Sequence, residues 1–332
     1  MSANITENDK QQGVVKAWHG MTEVMPVIGI DDNWLAKWDV EPNRLYVNKP
    51  DGTTISTKFK ILTATDNGMI VGKPYGETYT PISNKTFLSL IRQVLDETEG
   101  TRIESIGSVC NRNRVFASIS LKDAKTYTIG SRTFNDFLNF GNSYDGTSAL
   151  WVCNTNTCTV CNNTFNYNMN MGKGGFDTLG ARVTHSGNVT MKLTNIKGII
   201  ENYLKNQKLF KEKFAELDNS LISAKIAYNV IKAWGVYCSN GEVTETTKLR
   251  ISKINSLFHT GRGNKGKTKA DLFSAITDYY THMSLVRSPS VTKQYVSSEF
   301  GAGAQKKREF WRIITNESEI EKWSNRGQLI AV

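Results

Sequence analysis

The chain has 332 residues, 39% of them hydrophobic and 22% charged, so it is long enough to bury one large core or two modest ones. Its formal net charge of +10 at pH 7 favours a polyanionic partner, because clustered lysines and arginines neutralise phosphates and release counterions. No run reaches the length of an apolar membrane span, the first residues lack the features of a signal peptide, and the five cysteines form an odd, sparse set. These features argue against a membrane protein and a secreted disulfide framework, and we expect a cytoplasmic protein with reduced thiols.

The N-terminal half is predicted to form a β-meander followed by a helix. Segments 44–48 and 53–59 are rich in β-forming residues and flank a Pro-Asp-Gly turn, and segments 60–65 and 69–71 flank an Asp-Asn-Gly turn. Residues 83–96 then place apolar side chains at helical spacing, behind a serine and an asparagine that can cap a helix. The predicted order of elements is therefore β-β-β-α.

A hairpin and a polar strand follow. Strands over 102–110 and 114–120 are joined by a turn, which places Arg112 and Arg114 at the hairpin tip. Alternation over 151–161 turns mainly threonines and cysteines to one face, and two asparagines, two valines and a cysteine to the other, so neither face is plainly apolar. Such a strand is suited to present hydroxyls and amides to a polar ligand. The candidate ligand-facing residues here and in the preceding turn are Asn142, Tyr144, Asp145, Thr155 and Thr157.

Three cysteines near this strand raise the question of a zinc site. Cys153, Cys158 and Cys161, with His185 downstream, are residue types that bind zinc in tetrahedral sites. Strand alternation, however, turns Cys158 to the face opposite the other two cysteines. We therefore predict free thiols, no metal site and no other cofactor.

The C-terminal part is predicted to be helical. An apolar stripe with alternating steps of three and four residues runs over 203–234, which indicates one long helix that begins near residue 194. The stripe is typical of a helix that covers a sheet or packs in a bundle, and self-association through it is the alternative. Further helices are predicted over 248–258, 269–284 and 310–323.

These patterns predict an α+β fold made of three segments. Residues 1–14 are polar and without periodicity, which predicts a disordered start. Residues 15–193 are predicted to form a β-rich α+β core, with the N-terminal meander, its packed helix and a polar central hairpin. Residues 194–332 are predicted to form a helical region that is integrated with this core and contains one long helix.

A glycine-rich cationic loop precedes the helix predicted from residue 269. The sequence GRGNKGKT at 261–268 matches the P-loop pattern G-x-x-x-x-G-K-[ST]. A P-loop follows a buried strand, however, and the segment before this loop is as compatible with a helix end as with a strand. Contact with nucleic-acid phosphates is the favoured interpretation, because glycines let backbone N–H groups approach oxygens and the lysines add charge. A merely solvated loop is the third interpretation.

The candidate nucleic-acid-binding residues share a positive charge and lie in four places. The first place is the hairpin tip, and the second is the segment 166–182, whose glycine-rich part over 166–180 is predicted to be mobile. The third is the loop 261–268 with the start of the helix that follows it. The fourth is a cluster that follows the small residues 301–304. The residues are Arg112, Arg114, Lys173, Arg182, Arg262, Lys265, Lys267, Lys269, Lys306, Lys307 and Arg308.

Several motifs carry a resemblance to one family. NSYDGTSA at 142–149, VCNNTFN at 160–166 and ARVTHSG at 181–187, with YTPISNKTFLSLI at 79–91 and HTGRGNKGKTKADLFSAITDYYTH at 259–282, resemble the phage/plasmid-like family catalogued as domain of unknown function 932. The histidine that is common in the family's first motif is Tyr144 here. The resemblance implies a phage or mobile-element protein, usually encoded among replication and recombination functions, with no agreed reaction.

A functional hypothesis combines this resemblance with the charge. The β-β-β-α order is similar to that of phage single-strand annealing proteins, which implies a non-catalytic protein that binds single-stranded DNA, assembles as a homo-oligomer and promotes annealing in phage recombination. Four histidines without a nucleophile motif give little basis for an enzyme. Two alternatives stay open: a nucleotide-dependent enzyme that uses 261–268 as a P-loop, and a phage factor that binds host proteins.

Overall fold

The chain divides into two compact units. The computed structural model describes residues 15–16, 24–25, 34–97, 101–109, 111–121, 127–158, 164–165, 180–183, 185–186, 196–284, 297–298 and 301–331. Unit 1 contains Met1–Ala124, Asp136–Asn154 and Asn168–Lys205, and unit 2 contains Lys125–Asn135, Thr155–Tyr167 and Asn206–Val332. The segments predicted to be disordered (1–14) and mobile (166–180) lie outside the described residues, apart from residue 180.

The predicted β-β-β-α order is present in unit 1. Two short strands, β1 (Val15–Lys16) and β2 (Val24–Met25), form an antiparallel pair, and a 3-10 helix spans Trp34–Lys37. An antiparallel meander then runs in the order β3 (Val40–Asn48), β4 (Thr54–Ala64) and β5 (Ile70–Tyr75), followed by helix α1 (Asn84–Glu97).

The second sheet is antiparallel and contains strands that contribute to both units. Its strands are β6 (Thr101–Val109), β7 (Arg114–Leu121), β8 (Tyr127–Ile129), β9 (Arg132–Ser143), β10 (Leu150–Cys158), β11 (Thr164–Phe165) and β12 (Gly180–Val183). The strand order is β11-β10-β9-β7-β6, with β12 paired to β10 and β8 paired to β9.

Helix α1 is held at its start by two capping groups. Ser83 Oγ accepts a hydrogen bond from the Thr86 backbone N–H at 3.1 Å, as the sequence predicts. The carboxylate of Asp39 adds a second cap, since its Oδ1 accepts from the Asn84 N–H at 2.7 Å and its Oδ2 from the Lys85 N–H at 3.3 Å. These bonds align the helix so that its apolar side chains enter the core of unit 1. That core includes Leu62, Val71, Phe87, Ile91, Val94, Val115 and Phe140.

Three aromatic rings, those of Tyr75, Tyr79 and His185, pack together in unit 1. The centroids of Tyr75 and Tyr79 are 4.8 Å apart, and His185 stacks on Tyr79 at 5.0 Å with an interplanar angle of 13°. His185 is 7% exposed, and neither ring nitrogen has a hydrogen-bond partner in the described part of the chain. Burial therefore lowers the pKa of His185 from 6.5 to about 4, because the imidazolium loses its hydration there.

Unit 2 is built around helices. The described helices from residue 196 onward are α2 (Ile196–Asn219), which starts within the bounds of unit 1, α3 (Ala224–Tyr237), α4 (Glu245–Thr260), α5 (Lys269–Asp278), a π-helical turn (Tyr279–Met283), α6 (Ala302–Ile314) and α7 (Glu317–Gln328). The predicted α+β class, with strands first and helices later, is confirmed. None of the described helices is both long and apolar enough to cross a membrane.

The predicted long helix is shorter than the apolar stripe implied. It ends at Asn219, because the next residues pair with the loop before α5 instead: the Ile222 N–H donates to the Lys267 carbonyl at 2.9 Å, and the Lys269 N–H donates to the Ser220 carbonyl at 2.9 Å. Ser223 then caps α3. Leu221, which the stripe placed on the apolar face, is 78% exposed. The predicted helix over 310–323 is also two helices, since Asn316 caps α7.

A buried arginine connects four parts of unit 2. Arg132 is 1% exposed, and its Nη1 donates to Asp218 Oδ1 at the end of α2 at 2.7 Å. Its Nη2 donates to Asn264 Oδ1 at 2.9 Å and to Asp271 in the first turn of α5. The Phe214 ring lies 5.9 Å from the guanidinium carbon. A buried guanidinium requires such partners, because a charge left without them costs several kcal/mol, roughly.

We expect Arg132→Met to lower the free energy of unfolding by about 3–5 kcal/mol, because it leaves the carboxylates of Asp218 and Asp271 without their cation. Urea denaturation followed by circular dichroism measures this change. Lys213→Met is the control, since it breaks an exposed ion pair with Glu216 in the same unit and should cost less than about 1 kcal/mol. Similar losses in the two variants would show that the Arg132 contacts do not support the unit.

We expect His185 to make stability fall as the pH drops from 6.5 towards about 4. The unfolded chain binds a proton in this window and the folded chain does not, so protons favour unfolding, by up to about 3 kcal/mol. His185→Phe keeps a ring on Tyr79 but has no group to titrate. Denaturation midpoints at several pH values should therefore fall less steeply in this variant, and parallel curves would contradict the assignment.

Candidate functional site

The glycine-rich loop Gly261–Thr268 connects two helices. It begins where α4 ends and finishes at Thr268, whose side chain accepts from the Asp271 N–H at 3.1 Å in a capping box with α5. Gly266 has a φ of +66°, and a Cβ there would collide with the His259 ring. Glycine is therefore required at this position for both its conformation and its close approach.

Asp271 fixes the C-terminal half of the loop. Its Oδ2 accepts from the backbone N–H groups of Lys267 and Thr268 at 2.9 and 3.1 Å, while its Oδ1 accepts from Arg132. Burial by itself raises the pKa of Asp271, but these three hydrogen bonds and the arginine charge outweigh it, so the pKa is lowered. The carboxylate is thus a permanent anion that occupies two backbone donors of the loop.

The loop presents three cationic side chains to solvent. Arg262, Lys265 and Lys267 are exposed, and in the described part of the chain neither lysine forms an ion pair. Burial raises the pKa of Asp278 to about 6. The positive charge of Arg262 opposes this rise, because it favours the carboxylate form. Lys269, the fourth predicted residue, is 8% exposed and bonds to Glu317, so it belongs to the helix packing.

The loop geometry differs from a P-loop in two respects. A P-loop follows a strand, whereas Gly261 follows the helix α4. A P-loop also directs its backbone N–H groups at phosphates, whereas those of Lys267 and Thr268 donate to Asp271. The two N–H groups that Asp271 occupies are not available to an anion, whereas the exposed side chains of Arg262, Lys265 and Lys267 are.

The predicted cations at the β6–β7 hairpin are neutralised by acidic neighbours. Arg112 Nη1 donates to Asp66 Oδ1 at 2.7 Å, and its guanidinium lies 4.7 Å from the Trp38 ring centroid. The Arg114 Nε lies 3.5 Å from Asp145 Oδ2. Both arginines hold their hairpin against neighbouring turns, so the expectation of two phosphate contacts is not supported by this arrangement.

The cluster on α6 is also occupied by structural contacts. Lys307 is 1% exposed, and its Nζ donates to Ser298 Oγ at 3.0 Å. Lys306 Nζ donates to Glu309 Oε2 at 2.8 Å and lies 4.4 Å from the Tyr237 ring centroid. Arg308 is half-buried. The expectation that this cluster grips a backbone is corrected for Lys307, because its ammonium group is buried within unit 2.

The polar hub around the Asp-Gly turn, Asn142 to Asp145, forms hydrogen bonds within the protein, and two of its residues are buried. Tyr144 is 2% exposed, and its hydroxyl donates to Asn84 Oδ1 at 2.6 Å. Asn142 is also 2% exposed, and its Nδ2 donates to the Ile82 carbonyl at 3.0 Å. Asp145 accepts from the Thr147 N–H within the turn at 3.0 Å. Asn142 and Tyr144 therefore do not face a ligand, which corrects the expectation for these two residues.

The remaining predicted residues lie partly or wholly outside the described part of the chain. Lys173 is not described. Thr155 and Thr157 lie in β10 and Arg182 lies in β12, but their side chains are not described, nor are those of Cys153, Cys158 and Cys161. Among the described residues, no group of three His, Cys, Asp or Glu side chains could hold a metal ion.

Sequence reasoning predicted the β3–β4 hairpin but missed its surface. Arg44, Tyr46, Lys58 and Lys60 are all exposed, and Tyr46 retains 59% of its accessible surface. The sequence contained no signal for this exposure, because Leu45, Val47 and Ile55 occupy the alternate positions that a half-buried hairpin would show.

Comparisons with known proteins identify a family whose function is unknown. A search of the curated proteins found no match, and neither did a search of the solved structures. A family model described as "Domain of unknown function (DUF932)" matches residues 73–299, a segment that contains the cationic loop, the ring stack and the polar hub. Because the match covers more than half of its length, the chain belongs to the DUF932 family.

Proposed function

We propose that the protein binds single-stranded DNA through the phosphates, with the Gly261–Thr268 loop as its principal contact. The observation that carries this proposal is the exposure of Arg262, Lys265 and Lys267 on a loop whose backbone is held by Asp271 and Arg132. A fixed backbone lowers the conformational entropy that binding would cost, and unpaired cations release counterions when they meet phosphates.

The cationic side chains of this loop are more exposed than the other described residues that the sequence predicts to bind nucleic acid. Most other predicted cations are paired with acids or buried, as shown for Arg112, Lys269, Lys306 and Lys307. An unpaired surface cation contributes more to polyanion binding than a paired one, because it has no competing carboxylate to leave. Among the described candidate nucleic-acid-binding residues, the loop therefore holds the cations that are available to a ligand.

We further propose that the protein is a non-catalytic annealing protein that works as a homo-oligomer in phage or mobile-element recombination or replication. This proposal is supported by the order of the meander and α1, which is similar to that of phage single-strand annealing proteins. The mass distribution of the protein with and without oligonucleotide tests the oligomer, and annealing of complementary strands tests the activity.

We expect the double variant Lys265→Gln/Lys267→Gln to bind an oligo-dT strand more weakly and with a flatter salt dependence. Loss of two phosphate contacts should reduce the slope of log affinity against log salt by about 1.4, since each contact to a single strand contributes about 0.7. Fluorescence anisotropy across a salt series, with duplex and RNA competitors, measures both quantities.

The control for this experiment is Lys208→Gln/Lys213→Gln. It removes the same charge from unit 2, but these lysines pair with Glu212 and Glu216 on α2. Affinity should be nearly unchanged in the control. Equal effects of the two double variants would assign binding to net charge rather than to the loop, and failure of the wild type to bind at low salt would exclude the proposal.

We expect the pH dependence of binding to report Asp278. Its pKa is raised to about 6, so the side chain is anionic at pH 7.5 and neutral at pH 5, and its charge opposes phosphate binding beside Arg262 only in the anionic form. Asp278→Asn should therefore bind oligo-dT a few-fold, roughly, more tightly at pH 7.5. The affinities of the variant and the wild type should converge at pH 5, and a constant difference across this range would contradict the assignment.

A further inference from the structure

The outer half of the β3–β4 hairpin is exposed on both faces. Val40, Leu62 and Ala64 at its base are buried in unit 1, whereas from Asn43 to Lys60 every residue is exposed except the half-buried Leu45 and Thr57. Strand β5 pairs with β4 only at and beyond Lys60, so the outer part of β4 has β3 as its only strand partner among the described residues.

The strand register sorts the exposed side chains onto two unlike faces. Arg44 lies opposite Lys60 and Tyr46 lies opposite Ser56, which puts cations and an aromatic ring on one face. Val47 lies opposite Ile55 on the other face. We call the first of these the cationic face of the hairpin.

A bulge shapes the cationic face. Three residues of β4, 57–59, lie opposite the single residue Leu45, and the Thr57 hydroxyl fixes them by donating to the Leu45 carbonyl at 2.9 Å and accepting from the Phe59 N–H at 3.1 Å. Lys58 is exposed at the centre of this bulge. Bulges re-aim side chains and twist a strand, so the cations here are set by a defined backbone feature.

The charge of the hairpin is strongly one-sided. Within 44–60 there are four cations, Arg44, Lys49, Lys58 and Lys60, and one acid, Asp51, which leaves a net charge of +3. The carboxylate of Asp51 is engaged in the turn, where it accepts from the Thr53 N–H at 2.9 Å. In the described part of the chain, Arg44, Lys58 and Lys60 form no ion pair.

A two-stranded ribbon with two wet faces is only marginally stable by itself in water, and an exposed ring among unpaired cations is a typical surface for single strands. We propose that the cationic face binds one strand of nucleic acid, with Arg44, Lys58 and Lys60 on successive phosphates and Tyr46 stacked on a base. This inference rests on the proposed single-strand binding and adds a second contact surface to it. A second copy of the chain is the poorer occupant of this face, because it would bring the same positive charges.

The test is binding of oligo-dT to the full chain by fluorescence anisotropy across a salt series. We expect Arg44→Gln/Lys58→Gln/Lys60→Gln to weaken binding by about tenfold or more. It should also reduce the slope of log affinity against log salt by about 2. Tyr46→Thr should weaken binding about tenfold through lost stacking, whereas Tyr46→Phe keeps the ring and should bind like the wild type. The control Val47→Thr/Ile55→Thr changes the opposite face and should leave affinity unchanged.

The outcomes separate this inference from the proposed function. If the wild type does not bind, both fail. If Lys265→Gln/Lys267→Gln weakens binding and the hairpin variants do not, the loop stands and the hairpin inference is overturned. The hairpin inference is also overturned if Val47→Thr/Ile55→Thr changes the oligomeric mass of the protein while Arg44→Gln/Lys58→Gln/Lys60→Gln binds oligo-dT normally. In that case the hairpin is an interface between protomers.

A second measurement covers loss of folding in a hairpin variant. Photo-crosslinking of wild-type protein to a strand that carries a photoreactive thymine, followed by peptide mass spectrometry, needs no substitution. Adducts on peptides from 44–60 support the inference. Adducts confined to other peptides overturn it.

Discussion

The burial of one guanidinium determines the arrangement of unit 2 around the cationic loop. Arg132 can be buried only because Asp218, Asn264 and Asp271 supply acceptors, and these residues come from the end of α2, the loop and the start of α5. Asp271 connects Arg132 to the loop backbone, because its second oxygen accepts hydrogen bonds from the N–H groups of Lys267 and Thr268. The result is a loop whose C-terminal backbone is held by hydrogen bonds and whose lysine side chains are exposed, an arrangement that favours side-chain contact with phosphates.

The positive charge of the chain is divided between structural and available cations. Lys307 and Lys269 are buried parts of helix packing, and Arg112 and Arg114 face carboxylates, so their charges are largely compensated within the protein. Lys265 and Lys267 in unit 2 and the hairpin cations in unit 1 have no such partners in the described residues. In the proposed binding to nucleic acid this second group supplies the contacts, because displacing an internal carboxylate offsets much of the gain from a phosphate.

Two of the motifs that carry the family resemblance divide in the same way. In the NSYDG motif, Asn142 and Tyr144 are buried and bonded to the Ile82 carbonyl and to Asn84, so their chemistry connects the second sheet to the start of α1 within unit 1. The GRGNKGKT motif instead combines a structural part, Gly266 and Thr268, with an exposed part, Lys265 and Lys267. One motif of this resemblance therefore contributes mainly to packing, and the other combines packing with surface charge.

Local patterns were sufficient for the elements whose stabilising contacts lie close together in the sequence. The meander turns, the Ser83 cap and the helices over 248–258 and 269–284 depend on neighbouring residues, and all of them are present. The break of the long helix depends on Ile222 and Lys269, which bond to the facing segment, and the stripe of apolar residues contains no signal for it. The partners of Arg132 lie 86, 132 and 139 residues away along the chain. Which cations are buried and which remain exposed was therefore settled by long-range packing, since charge and composition are the same wherever a residue lies in the fold.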